Sequence, residues 1–171
     1  MDESINGNGK GLHYKNYDSW IEKVSCQVMK GEKEAIITTS NGEVIGDIIH
    51  QPYQNTELGR IREIKNLRIR GRDQGWGIGR FLINLVEKSS EGDYDGLVLD
   101  VRANQEATYN FLRTMGFEEF IPKINLYDSQ RKDIVMFKAI GKKSCIWLPK
   151  VKKIITAKSY EYKQQLKEST N

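Results

Sequence analysis

A mixed α/β domain is the fold class this sequence predicts, and three observations predict it. Two β-branched runs meet at Asn41-Gly42, and a third extended run follows at 60–70. A glycine-spaced stretch, Gln74-Gly75-Trp76-Gly77-Ile78-Gly79, then leads straight into an apolar-periodic helix and a short apolar strand at 97–101. Strand, glycine turn, helix and strand make a βαβ unit, whose two strands run parallel. Finally, 171 residues with 38% hydrophobic content supply one sizeable core. The expected sheet is mixed and mostly antiparallel, with a central parallel pair and flanking helices.

The elements follow in order. Residues 1–16 hold glycines and asparagines with no apolar period and are expected to be a mobile lead-in. Ser19-x-x-Glu22 is a capping box, and Trp20/Ile21, Val24 and Val28 recur at helical spacing until Gly31. Glu34–Thr39 and Glu43–Ile49 read as a hairpin around Asn41-Gly42. Gln51-Pro52 and the polar residues to Glu57 suggest a second turn before the strand Arg60–Arg70. After the glycine stretch, Phe81, Leu82, Leu85 and Val86 line one side of a helix. Leu97–Val101 is a strand, about 105–115 a helix stopped by Gly116, and 117–126 with 133–140 a last strand pair. The predicted organisation is a lead-in (1–16), a domain (17–141) and a lysine-rich extension (142–171), helical from about Ala157.

Charge is unevenly spread. The net +4 arises because residues 142–171 carry eight lysines against Glu161 and Glu168, leaving the other 141 residues at −2. Binding of nucleic acid by the whole chain is therefore not implied. No window of eighteen apolar residues exists to span a membrane, and the polar start lacks the apolar stretch of a secretory signal. Cys26 and Cys145 are too few for a disulfide framework, and with His13 and His50 they give no metal-ligand spacing. The expectation is a soluble, reduced, cytoplasmic protein without a metal.

The glycine stretch carries the chemistry. Backbone N–H groups at a helix N-terminus lack intrahelical partners and bind phosphates well, and glycines let a pyrophosphate approach. A dinucleotide fingerprint would need glycine at 80, which is Arg80, and a Walker A loop from Gly71 would need glycine at 76, which is Trp76. What remains is Q-x-x-G-x-G after a strand.

Leu67–Leu82 (L-R-I-R-G-R-D-Q-G-W-G-I-G-R-F-L) resembles, without a gap, the acetyl-CoA-binding motif of the GCN5-related N-acetyltransferases, or GNAT family. Leu99–Phe117 resembles the family's second motif. The V-R-A…G-F wording and the Asp133–Met136 ending are nearest in flavour to the ribosomal-protein and protein N-terminal acetyltransferases. The resemblance covers roughly 60–140. It implies a parallel strand pair that splays apart around acetyl-CoA. The backbone of Leu67, Arg68 and Ile69 would pair with pantetheine, and an N–H near Leu67 would polarise the thioester carbonyl. The amides of Gln74, Gly75, Trp76, Gly77, Ile78, Gly79 and Arg80 would hold the pyrophosphate.

Acyl transfer needs a neutral amine, so a base is useful. The resemblance puts Glu63, on the strand, and Asp100, in L-D-V, at positions where family members carry one. The usual thiolate-protonating tyrosine is replaced by Leu112, leaving Tyr109, or Tyr127 in the last hairpin, as substitutes or substrate contacts. The family's helix asparagine aligns with Gln105, beside Asn104, which is equally suited to capping the helix. Arg60, Arg62, Lys65, Arg68, Arg70 and Arg72 crowd one strand, either guarding a solvated edge or attracting CoA phosphates. Trp20 is expected in the core, Trp76 packed in its loop, and His13 and His50 in structural roles.

The activity implied is transfer of an acetyl group from acetyl-CoA to a primary amine, of a protein rather than a small molecule. The competing readings are acetylation of aminoacyl-tRNA, with the basic tail as an RNA handle, and a catalytically weak acyl-CoA-binding module. Expected assembly is a monomer or homodimer, with no membrane partner.

Overall fold

A computed structural model describes residues 17–53, 60–140 and 148–169. The expectations for 1–16, including His13, and for Cys145 lie outside the described residues. The elements are α1 (Tyr17–Met29), β1 (Glu34–Ser40), β2 (Glu43–Pro52), β3 (Ile61–Ile69), α2 (Ile78–Ser90), β4 (Gly96–Arg102), α3 (Glu106–Thr114), β5 (Glu118–Ile124), β6 (Asp133–Ala139), α4 (Leu148–Lys158) and α5 (Tyr160–Ser169). The strands form a sheet in the order β1-β2-β3-β4-β6-β5, with β3–β4 as its parallel pair. The chain divides into two compact units, Met1–Pro52 with Glu63–Ser89, and Tyr53–Arg62 with Ser90–Asn171.

In the first unit α1 starts at Tyr17, two residues before the expected capping box, so Ser19 lies inside the first turn and is not the cap. The helix closes as expected: the Gly31 N–H donates to the Val28 carbonyl at 3.0 Å, and Gly31 takes the left-handed φ of 72° that glycine tolerates. Asn41 (φ 51°) and Gly42 (φ 80°) are both left-handed, as a two-residue hairpin turn requires. Strand β2 continues through Gln51 and Pro52, where a turn was expected. Proline at a strand's last residue forfeits no needed ladder bond. Buried Ile48, Ile49 and His50 lie along its middle, giving His50 a structural setting within the strand. Trp20 is only half-buried, and Val24 is the deeply buried residue of α1. On α2 the buried face is Leu82, Ile83 and Val86, while Phe81 is exposed.

Gly46 sets how closely β2 approaches the glycine stretch. A Cβ there would lie 2.9 Å from Ile69 Cδ1 and 3.2 Å from both the Arg68 carbonyl and Ile78 Cγ2. Glycine lets β3 and the start of α2 close onto β2, which places the loop between them.

In the second unit β4 pairs with β6 from Gly96↔Ala139 to Arg102↔Asp133. A Cβ on Gly96 would lie 2.2 Å from Phe137 Cζ, so the ring's position requires glycine. The helical C-terminal segment begins at Leu148, with Pro149 in a first turn that needs no N–H, well before the expected Ala157. It breaks at buried Ser159, whose hydroxyl donates to the Thr156 carbonyl at 2.7 Å, and Tyr160 N–H donates to the Leu126 carbonyl at 3.1 Å. Val151 and Ile155, 1% and 5% exposed, join Ile61, Val98, Ile121, Ile124, Val135 and Phe137 in one core. Burying two aliphatic side chains this fully contributes about 1.5–3 kcal/mol each. The apolar side of the tail is thus committed to its own domain, while Lys152, Lys153, Lys163 and Lys167 stay exposed.

Candidate functional site

The loop between β3 and α2 is built to leave donors open. A single 3-10 turn, Gly71–Asp73, follows β3, and the Gln74 side chain donates from Nε2 to the Ile69 carbonyl at 3.1 Å, tying the loop back to the strand. Gly75 (φ 83°) and Gly77 (φ 81°) are left-handed, and a Cβ on either would meet nothing within 4 Å. The Phe81 N–H finds the Gly77 carbonyl at 2.9 Å, but the N–H groups of Gly75, Trp76, Gly77, Ile78, Gly79 and Arg80 have no backbone acceptor among the described residues. These six donors stand where the α2 dipole is positive, and the open space at both glycines lets an anion reach them. They fit a pyrophosphate. Trp76 is 82% exposed, where packing in its loop was expected. Arg80 is also exposed.

The basic residues of β3 tell a different story from the expected one. β3 is an interior strand in the sheet order, so it guards no edge. Its cations are already engaged: Lys65 with Glu63 (3.1 Å), Arg68 with buried Asp47 (2.9 Å), and Arg70 and Arg72 with Glu43 (2.6 and 2.7 Å). Arg60 pairs with Asp95 (3.2 Å), and the Arg62 guanidinium lies 4.2 Å from the centre of the Tyr94 ring. The loop amides, rather than these paired cations, are the donors suited to an anion.

Glu63 is half-buried on β3 and accepts two hydrogen bonds, from Gln51 Nε2 at 2.7 Å and from Lys65 Nζ at 3.1 Å. Nearby Lys33 is buried; burial, and next the Lys65 ammonium, push its pKa below the usual lysine range. The Gln51 and Lys65 contacts fix the orientation of the Glu63 carboxylate. Leu67, Arg68 and Ile69, half-buried on the same strand, belong with Glu63 and the loop to the first unit.

The other expected residues belong to the second unit. Asp100 and Tyr127 are brought together: the Tyr127 hydroxyl donates to Asp100 Oδ1 at 2.7 Å. Arg131 donates from Nη2 to Asp100 Oδ2 at 3.2 Å and from Nε to Asp133 Oδ1, and its guanidinium lies 4.7 Å from the Tyr127 ring centre. Asp133 is 0% exposed, its Oδ2 has no hydrogen-bond partner among the described residues, and burial pushes its pKa up to about 6 against the opposing pull of Arg131. Tyr109 lies apart from this group, with its hydroxyl 3.3 Å from Glu119. Gln105, not Asn104, occupies the N-cap position of α3, and no side chain caps it. Leu112 is buried.

Arg131, Gln51, Lys33 and the Glu43–Arg70–Asp73 group are parts of these sites that residue spacing does not reveal. Each matters through a partner elsewhere in the chain, and a single sequence carries no signal for such pairs.

No family model matches the chain, and no curated protein matches it in sequence. Solved structures do. A protein assigned to the GNAT acetyltransferase family from Desulfovibrio desulfuricans superposes with a TM-score of 0.69 at 15% identity, over 81% of this chain and 90% of that one. The ribosomal-protein-S18-alanine N-acetyltransferase of Escherichia coli gives 0.62 at 21% identity, over 82% and 86%. Arabidopsis thaliana NAA60, solved with a bisubstrate analogue, gives 0.63 at 19% identity, over 81% and 90%. The two sequence motifs, the parallel strand pair and the open amides at α2 thus sit on one architecture, and the chain has the fold of the GNAT acetyltransferases.

Proposed function

We propose that this protein is an acetyl-CoA-dependent N-acetyltransferase acting on a primary amine, of a protein rather than a small molecule. The observation that carries the reading is the run of amides from Gly75 to Arg80 that have no backbone acceptor among the described residues, opened by two left-handed glycines. The ribosomal-protein-S18-alanine N-acetyltransferase among the structural matches supports the acceptor class.

Acetyl-CoA supplies a thioester whose carbonyl carbon an amine attacks. In this reading the Gly75–Arg80 amides and the Arg80 guanidinium bind the phosphates, and the β3 backbone at Leu67, Arg68 and Ile69 aligns the pantetheine arm. Glu63 takes the proton from the attacking amine, directly or through water, with Gln51 and Lys65 holding its oxygens. Asp100 is the second acid to test, and Tyr127 contacts the acceptor. The CoA thiol, similar to a cysteine with a pKa of about 8.5, leaves as thiolate without a dedicated acid. A cytoplasmic setting, supplied with acetyl-CoA, belongs to the same proposal.

Lysate proteins incubated with the protein and isotopically labelled acetyl-CoA should acquire labelled N-acetyl groups, read by mass spectrometry. Glu63→Gln should lower kcat/KM at neutral pH by about 100-fold while acetyl-CoA still binds. An unchanged rate removes Glu63 from the mechanism. Buried Leu112, which donates no proton, favours one second reading: an acyl-CoA-binding module without turnover. CoA binding with no labelled product from any protein or amine would select it.

A further inference from the structure

The loop bearing the open amides is entered through a charge cluster that acyl transfer itself does not require. Arg70, the residue after β3, is 5% exposed, and its N–H donates to the Ile45 carbonyl at 2.9 Å. Its Nε donates to Asp73 and its Nη1 to Glu43 Oε2 at 2.6 Å; Arg72 Nη2 reaches the same Glu43 oxygen at 2.7 Å. Glu43 follows directly on the rigid Asn41-Gly42 turn, so the cluster is anchored in the β1–β2 hairpin. The backbone is closed over the same residues: Asp73 N–H donates to the Arg70 carbonyl at 2.8 Å and Gln74 N–H to that of Gly71 at 3.3 Å.

Beyond Gln74 that support stops. Gly75 and Gly77 have open space around them and a wide choice of backbone conformations. A loop free to sample them would have to be ordered by the ligand, which weakens binding. We infer that Arg70 is a positioning residue for the cofactor: by holding Asp73 to Glu43 it fixes the start of the loop so that the Gly75–Arg80 amides face the CoA phosphates. The inference rests on the function proposed above. Two arginines and two carboxylates cancel in charge, so the cluster acts through shape and not through attraction of the phosphates. The Arg70 guanidinium holds the carboxyls of both Glu43 and Asp73 below the usual carboxylate range.

Shape and charge predict opposite signs. Removing a carboxylate beside a phosphate site should strengthen anion binding by simple electrostatics, whereas removing a positioning contact should weaken it. The test measures CoA and pantetheine, which lacks phosphates, by calorimetry on the full chain with Glu43→Gln, Asp73→Asn and Arg70→Lys, alongside amide exchange at Gly75–Arg80. Glu43 is exposed, so its variant should keep the fold. Each carboxamide variant should bind CoA about 5–10-fold more weakly, leave pantetheine unchanged and speed amide exchange in the loop. CoA binding that is unchanged or tighter overturns the inference, as does a parallel loss of both ligands, the mark of a merely structural role. If the unsubstituted protein fails to bind CoA, the proposed function falls and the inference falls with it; CoA binding indifferent to the clamp removes the inference alone.

Discussion

The loop after β3 and the loop between β5 and β6 solve opposite problems. In the first, backbone donors from Gly75 to Arg80 are left open while the neighbouring charged side chains are paired off below them. In the second, nearly everything is consumed internally. Asn125 donates to the carbonyls of Asp128 (2.9 Å) and Arg131 (3.0 Å), and Asp128 Oδ1 accepts the N–H groups of Gln130 and Arg131. Arg131 then bridges Asp100 and Asp133. An open set of donors is suited to an incoming anion; a closed network instead presents a fixed surface, here the exposed Tyr127 ring. Under the proposed function, the difference separates a region that binds from one that shapes.

The sharpest way to break this contrast is to fill the open loop. Gly77→Val adds a branched side chain where φ is 81° and where a Cβ would meet nothing within 4 Å among the described residues beyond its chain neighbours. The left-handed conformation costs roughly 1–2 kcal/mol, and the methyl groups stand in the approach to the amides. Stabilisation by acetyl-CoA in a thermal-shift assay should fall by about 100-fold in apparent affinity, since helix-terminal amides need close approach by the anion. Undiminished binding would mean the phosphates lie elsewhere.

The closed network should answer to pH. Asp133 is raised from 3.8 to about 6 in the folded chain, so between those values the native state holds more of its proton than the unfolded state does. Stability therefore falls as pH rises from about 4 to about 6, and is lower on the alkaline side by up to about 2–3 kcal/mol. Asp133→Asn cannot titrate and should flatten that part of the curve, measured as urea unfolding against pH. An identical slope in both proteins would place the proton on another group.

The same contrast explains what could be read in advance. The glycine loop, the Asn41-Gly42 hairpin and the βαβ unit were legible because their causes are local: a left-handed turn needs glycine, and a period of 3.6 needs apolar residues at fixed steps. The engagement of Arg68 by Asp47, or of Asp100 by Arg131, depends on which strands become neighbours, and that is decided by the whole sheet. The tail is only partly legible for a related reason: Val151, Ile154 and Ile155 among lysines suit docking on the domain, on a partner or on RNA alike. Val151 and Ile155 look like an amphipathic surface until the partners that bury them, Ile121, Ile124 and Val135, are in place. Trp76, expected to pack as tryptophan usually does, is instead exposed in a loop with two left-handed glycines.

The smallest effect probes the exposed edge of the closed network. Tyr127→Phe keeps the ring beside Arg131 and deletes the hydroxyl that donates to Asp100 at 2.7 Å. Asp100 retains Arg131 and gains access to water, so the change should cost only about 0.5–1.5 kcal/mol of stability. On activity, a residue that contacts the acceptor should raise the acceptor KM and spare both kcat and the affinity for acetyl-CoA. Equal losses in kcat and kcat/KM would instead tie the hydroxyl to the reacting atoms, and the β5–β6 loop would then share in the chemistry itself.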